Sequence, residues 1–313
     1  MKKILMILIV GIAVILTSCN KDLNLDVKYQ LTINIDNMDV VKNMKNYDNT
    51  DVFPGGLLDS DGVKVRESFF VYNLNGELVF NNTEIVDDFS KKILISCDLS
   101  EGEYTLVSCV DIVVSDGESI TEELWNFKNV DMLSNFRMEE AVSLYQMNTL
   151  GVTKSQVSID KSVSVDIKTS VVGAMFSYCF ENAYLEEIAE VDWGYSKTND
   201  YYNVEDAASN VSEQVQNNYW EPDEQYNGIM GSIFILPCKD FVFAWQSYST
   251  TFEPEAFGYV TFDVVAGNHK TITVDSQTGE YFMGGSTKSV TIPSDGQILK
   301  VQSLPTEKIR SIH

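Results

Sequence analysis

Histidine is almost missing from this chain: among 313 residues only His269 and His313 occur. A Ser-His-Asp or Cys-His constellation would therefore need His269, which adjoins the Gly267-Asn268 turn with no nucleophile motif around it. GxSxG, HExxH, P-loop and Rossmann glycine patterns are absent as well. Cysteine is sparse, five in all and none spaced CxxC, so the spacing of a structural zinc site is lacking. Cationic side chains are outnumbered, 22 Lys and Arg against 46 Asp and Glu, for a formal charge of −24. So acidic a surface repels nucleic acid and anionic headgroups, which excludes nucleic-acid binding; its ordinary benefit is solubility. Adjacent carboxylates such as Asp87-Asp88 and Glu122-Glu123 arise by chance at this acid content, in no distinctive apolar setting. Asp59-Ser60-Asp61-Gly62 lacks the third ligand position and distal Glu of a calcium loop and reads as a turn. These absences lead us to expect no cofactor, no metal and no catalysis.

A membrane-spanning apolar run is lacking too, but a shorter one opens the chain. Lys2 and Lys3 precede the apolar run from Ile4 to Leu16, followed at once by Thr17-Ser18-Cys19. As a helix that run would rise roughly 20 Å, too little for a hydrocarbon core of ~30 Å. A cationic start, a short apolar core and small residues before a cleavage point mark a secretory signal. Leu16-Thr17-Ser18-Cys19 is similar to the bacterial lipobox, in which cleavage falls between Ser18 and Cys19 and the cysteine is acylated. Acyl chains contribute ~0.8 kcal/mol per buried methylene, so a multiply acylated Cys19 would hold the protein at a membrane. Asn20 in place of Asp, followed by Lys21-Asp22, points to the outer membrane and its outer face. We expect a signal at 1–18 and a lipidated spacer at 19–26.

Beyond the spacer the pattern is β. Val27, Tyr29, Leu31, Ile33 and Ile35 alternate with polar residues, the period of a half-buried strand. Residues 36–62 read as a loop with at most a short helical turn. Asn75-Gly76 joins two strands as a hairpin, and Ser100-Glu101-Gly102 is expected to join a second pair, Lys91–Leu99 and Glu103–Val110. Thr121-Glu122-Glu123 could cap a helical turn, and Ala183–Val191 is a further helical candidate. Strand patterns recur from Gln156 to Val301. Many short strands with turn signals every 8–12 residues read as β-sandwiches, and no βαβ alternation exists. We place the domain boundary near 150, giving sandwiches at 27–150 and 151–313.

Cys97, Cys109, Cys179 and Cys238 each lie in apolar, strand-like runs. Buried free thiols are expected, with Cys97–Cys109 the best disulfide candidate. A cluster of rings falls in the polar stretch 181–230, with Trp193, Tyr195, Tyr201, Tyr202, Tyr219, Trp220 and Tyr226. They are expected to cover a sandwich edge; the alternative is a glycan platform with Trp193, Tyr195 and Trp220 as stacking rings.

The run Val65–Val79, with Phe69-Phe70-Val71-Tyr72 before Asn75-Gly76, and then Leu99-Ser100-Glu101-Gly102-Glu103-Tyr104-Thr105-Leu106-Val107, resembles fimbrillin-like lipoproteins of Bacteroidales, in particular the fimbrillin-A-associated anchor subunits. Phe234-Ile235-Leu236-Pro237 is similar to a strand of their second domain. The family's proline in the Leu-Pro-x-Gly-x-Tyr-Thr pattern is missing here, and Ser108-Cys109 replaces the usual strand ending. The resemblance implies an all-β chain of two transthyretin-like β-sandwich domains with a few short helical insertions. It further implies a non-enzymatic surface lipoprotein whose partners are fimbrial subunits joined by β-strand donation, and an outer membrane reached through the lipid anchor. Polymerising subunits of that family lose an N-terminal strand by cleavage, often after arginine. The first arginine here is Arg66, inside an expected strand, so the anchor or accessory role fits better. The alternative function is a surface glycan-binding lipoprotein of a polysaccharide uptake system.

Overall fold

A computed structural model describes residues 27–46, 62–86, 92–117, 119–141, 149–196, 199–211, 216–222, 228–287 and 297–299. Ser18, Cys19 and Tyr226 lie outside these, as does the strand expected at Lys288–Ile292. None of the described helices is long and apolar enough to cross a membrane.

The chain runs through β1 (Lys28–Asp36), a single α-helix α1 (Met38–Asn46), β2 (Val63–Asn73), β3 (Leu78–Val86), β4 (Ile93–Ser100) and β5 (Gly102–Ser115). Short strands β6 (Ile120–Glu123), β7 (Trp125–Lys128) and β8 (Arg137–Glu140) follow, then β9 (Gly151–Ile159), β10 (Val163–Lys168) and β11 (Ser170–Val171). The remainder is β12 (Ala174–Glu181), β13 (Ile188–Ser196), β14 (Asn199–Asn203), β15 (Ala208–Val211), β16 (Gln216–Trp220) and β17 (Ile229–Ile235). It closes with β18 (Cys238–Ser249), β19 (Pro254–Val264), β20 (Asn268–Asp275), β21 (Tyr281–Thr287) and β22 (Gln297–Leu299). The all-β expectation holds.

Five sheets result. In the first, β1 lies between antiparallel β4 and parallel β10. It packs on the second, ordered β11-β9-β5-β2-β3 with β6 beside β5, through Leu31, Ile33, Ile35, Phe69, Val71, Ile95, Leu106 and Ile167. The opposite face of the second sheet is also covered, by Trp125, Phe127, Phe136 and Tyr202 of the segments around a small sheet β15-β14-β8-β7. Hence β2 and β5 are buried almost continuously along their middles instead of at every second residue, as strands covered on both faces are. Two further sheets, β17-β12-β20-β21-β22 and β16-β13-β18-β19, face each other across Phe176, Phe180, Val191, Trp193, Phe241, Phe243 and Val274.

Five expectations are corrected. The boundary at 150 would cut through two sheets, because β9 pairs with β5 and β10 with β1, and β14 also reaches back to β8. The expected hairpin at Ser100-Glu101-Gly102 is a corner: β4 stays with β1 while β5 crosses to β2 and β9. Thr121-Glu122-Glu123 belongs to strand β6, bonded to β5, and Ala183–Val191 is a turn running into β13. The loop at 36–62 contains α1, whose first turn is capped by the Asp36 carboxylate accepting from the Met38 amide at 3.1 Å. The helix lies close on β9 at Gly151, where any Cβ would fall 2.6 Å from Val40. The hairpin at Asn75-Gly76 forms as expected, with Gly76 at φ +76°.

Candidate functional site

Two features stand out: the slot that β1 fills, and the outward face of the sheet β16-β13-β18-β19.

β1 exchanges hydrogen bonds with strands on both sides, Leu31–Ile35 matching Cys97–Ile93 of β4 and Val163–Ile167 of β10. Leu31, Ile33 and Ile35 are wholly buried. A segment so placed satisfies two sheet edges and a row of core pockets at once, the requirement for any strand occupying such a slot. Its far end is held by polar groups. Thr169 donates its amide to the Asp36 carbonyl, and its hydroxyl meets that of Ser108 at 2.8 Å. Ser108 also donates to the buried Glu67 carboxyl at 2.8 Å. Burial pushes Glu67 up to about 8, against the pull of Ser108 and Asn37, so it is largely protonated at neutral pH.

The opposite face of β2 buries Arg66. Its guanidinium forks onto Asp111 at 2.8 and 2.7 Å, donates to the Trp125 carbonyl at 2.9 Å, reaches Glu123, and lies 4.3 Å above the Phe127 ring. Burial pushes Asp111 up to about 6 even beside Arg66, which leaves the pair charged at neutral pH. The peptide bond after Arg66 sits in the middle of a sheet covered on both sides, closed to a protease.

The aromatic cluster is divided by strand parity. Trp193 is packed between Tyr178 and Phe180, both at 5.4 Å, and Tyr195 stacks on Phe241 at 6.0 Å. Trp220 packs against the same core. These three rings, the stacking candidates of the glycan alternative, point into the protein and pack on the core between the two facing sheets; Trp193 and Tyr195 lie on an interior strand and not at a sandwich edge. Tyr202 belongs to the other core, and Tyr201 lies under Arg137 at 5.2 Å. Tyr219 alone among the described rings of the cluster stands out, 69% exposed. Beside it a depression of about 450 Å3 is bordered by Asp192, Gly194, Asn217, Ala244 and Gln246. Sequence reading missed these neighbours; the signal was the alternation itself, since residues flanking inward Trp193 must face outward.

His269 Nε2 lies 2.8 Å from Ser177 Oγ, which also meets Ser232 at 2.7 Å. Ser177 is in the middle of flat β12, unlike a nucleophile raised on a strained strand-to-helix turn. Burial lowers the His269 pKa, so it is a neutral partner of the Ser177 hydroxyl. Cys97, Cys109, Cys179 and Cys238 are free thiols. The candidate bridge fails because Cys97 points into the core between the first two sheets and Cys109 into the core on the other side. Burial raises both thiols, Cys97 to about 11, making them inert. Among the described residues no group of acids, histidines and cysteines could hold a metal.

Comparison of the sequence with protein-family models and with curated proteins gives no match. Solved structures do resemble the fold. One is a candidate polysaccharide-binding protein of Bacteroides thetaiotaomicron, at TM-score 0.52 and 9% identity, covering 87% of this chain and 98% of that one. Others are the tip fimbrial protein Mfa3 of Porphyromonas gingivalis (TM-score 0.44, 10% identity, 83% and 99% covered) and a fimbrial assembly protein of Parabacteroides distasonis (0.40, 10%, 85% and 99%). At these identities the likeness is one of fold.

Proposed function

We propose that this chain is a non-enzymatic lipoprotein of the outer membrane, displayed at the cell surface through acylated Cys19, and that it serves as an anchor or accessory subunit of a fimbria. One observation carries the reading: β1 fills a slot between two strands, and the first arginine at which it could be cut away is locked inside the second sheet. A subunit that keeps β1 keeps its lipid as well, since both lie upstream of Arg66. It cannot accept a neighbour's strand in that slot, so it ends a polymer or offers a strand or open edge to the next subunit. Main-chain hydrogen bonds in such a contact contribute only ~0.5–1.5 kcal/mol each, so side-chain pockets must select the partner. Two modules belong to the same reading.

Crosslinking intact cells and identifying the proteins that co-purify tests it. Filament subunits are expected; recovery of transporter and glycan-degrading components alone refutes the anchor role. For the lipid, Cys19→Ala should abolish labelling by radioactive palmitate, and unchanged labelling would remove the tether from the proposal.

A further inference from the structure

We infer that the outward face of the sheet β16-β13-β18-β19 is a binding site for a neutral glycan. Register builds it in two rows across three strands. Asn217, Gly194 and Ala244 lie side by side, and next to them Tyr219, Asp192 and Gln246. The first row supplies a floor without bulk at Gly194 and Ala244. The second supplies a ring at one wall, a carboxylate in the middle and an amide at the other side. Tyr219 on edge strand β16 leaves a face for an apolar sugar surface, an amphipathic ring suited to a ligand that is apolar on one side and hydroxylated on the other. Gln246 is 7% exposed and borders the depression.

The chemistry of the lining selects the ligand. Asn217 and Gln246 both donate and accept, and Asp192 accepts, which is what vicinal hydroxyls require. Glu190 and Glu221 add two more carboxylates at the rim, and among the described residues no lysine or arginine borders the depression. Sialylated, uronic or sulfated chains are thereby turned away by like charge. A volume of about 450 Å3 is of the size that small-ligand clefts occupy and exceeds one sugar ring, so a short oligosaccharide segment is the fitting occupant.

This rests on the reading of the chain as a surface adhesion component, of which it would be the sugar-contacting face. The test is isothermal titration of the full chain in detergent with neutral tri- to hexasaccharides of glucose, mannose, galactose and xylose. Sialylated and sulfated oligosaccharides and a Lys/Arg-rich peptide serve as contrasts. Binding to at least one neutral series is expected, weakened tenfold or more by Tyr219→Ala, largely kept by Tyr219→Phe, with the thermal midpoint unmoved in both. Absence of neutral-glycan binding, binding that Tyr219→Ala leaves intact, or preference for the anionic chains or the peptide would overturn the site. Recovery of filament subunits from Tyr219→Ala cells is a separate readout, so failure of this site and failure of the anchor role are told apart.

Discussion

The sheet containing β2 and β5 and the sheet containing β13 and β18 are built from similar strands, yet one is covered on both faces and the other on one. Where both faces are covered, the polar residues pair mainly with one another: Arg66 with Asp111 and Glu123, and Glu67 with Ser108, which also meets Thr169. Where one face is open, carboxylates and amides stand next to water and can serve a ligand. The same residue types are therefore structural in one sheet and available for recognition in the other. Coverage of the second face, supplied by a small sheet drawn from both halves of the chain, makes the difference.

Four substitutions would break or sharpen this contrast. Arg66→Ala strands the Asp111 carboxylate in the interior and should cost about 3–5 kcal/mol in denaturant unfolding, whereas Arg66→Met combined with Asp111→Leu should recover most of that. Trp193→Ala, on the inward side of the open sheet, should cost about 3–5 kcal/mol and lower the thermal midpoint without touching the outward face. Glu67 gives a pH signature. The folded protein holds its proton up to about pH 8 while the unfolded chain releases it near the ordinary value of 4.5. Between those values the native state binds more protons, so this contribution is fully present below about 4.5 and is lost as pH rises through about 8. Glu67→Gln, an amide in place of the protonated acid, should flatten that decline in a series of melts across pH 5–9. Smallest of all, Tyr219→Ala should alter stability by no more than ~0.5 kcal/mol, as an exposed ring that packs on nothing.

Legibility in the sequence followed how local the controlling physics is. The alternation Leu31, Ile33, Ile35 was readable because each residue needs only to know which face it occupies. Asn75-Gly76 was readable because a tight turn needs φ > 0, and Gly76 supplies it. Ser100-Glu101-Gly102 carried an equally strong turn signal, yet the strands it joins do not pair. A turn reports that the chain reverses, and whether the next strand stays or crosses to the facing sheet is settled by distant partners. The aromatic cluster shows the same limit: its composition announced rings, while parity against Phe241 and Phe243 decided which of them reach water.

By itself, then, the sequence determined an all-β chain with acidic surfaces and without the usual catalytic motifs, because composition, period and turn chemistry act over a few residues. Tertiary structure alone decided that β10 joins β1 in parallel, that Cys97 and Cys109 lie in different cores, and that Tyr219 faces outward while Trp193 does not. Those outcomes depend on contacts between residues far apart along the chain, including Leu31 with Val163 and Asp192 with Gln246, and no local pattern encodes such a pairing.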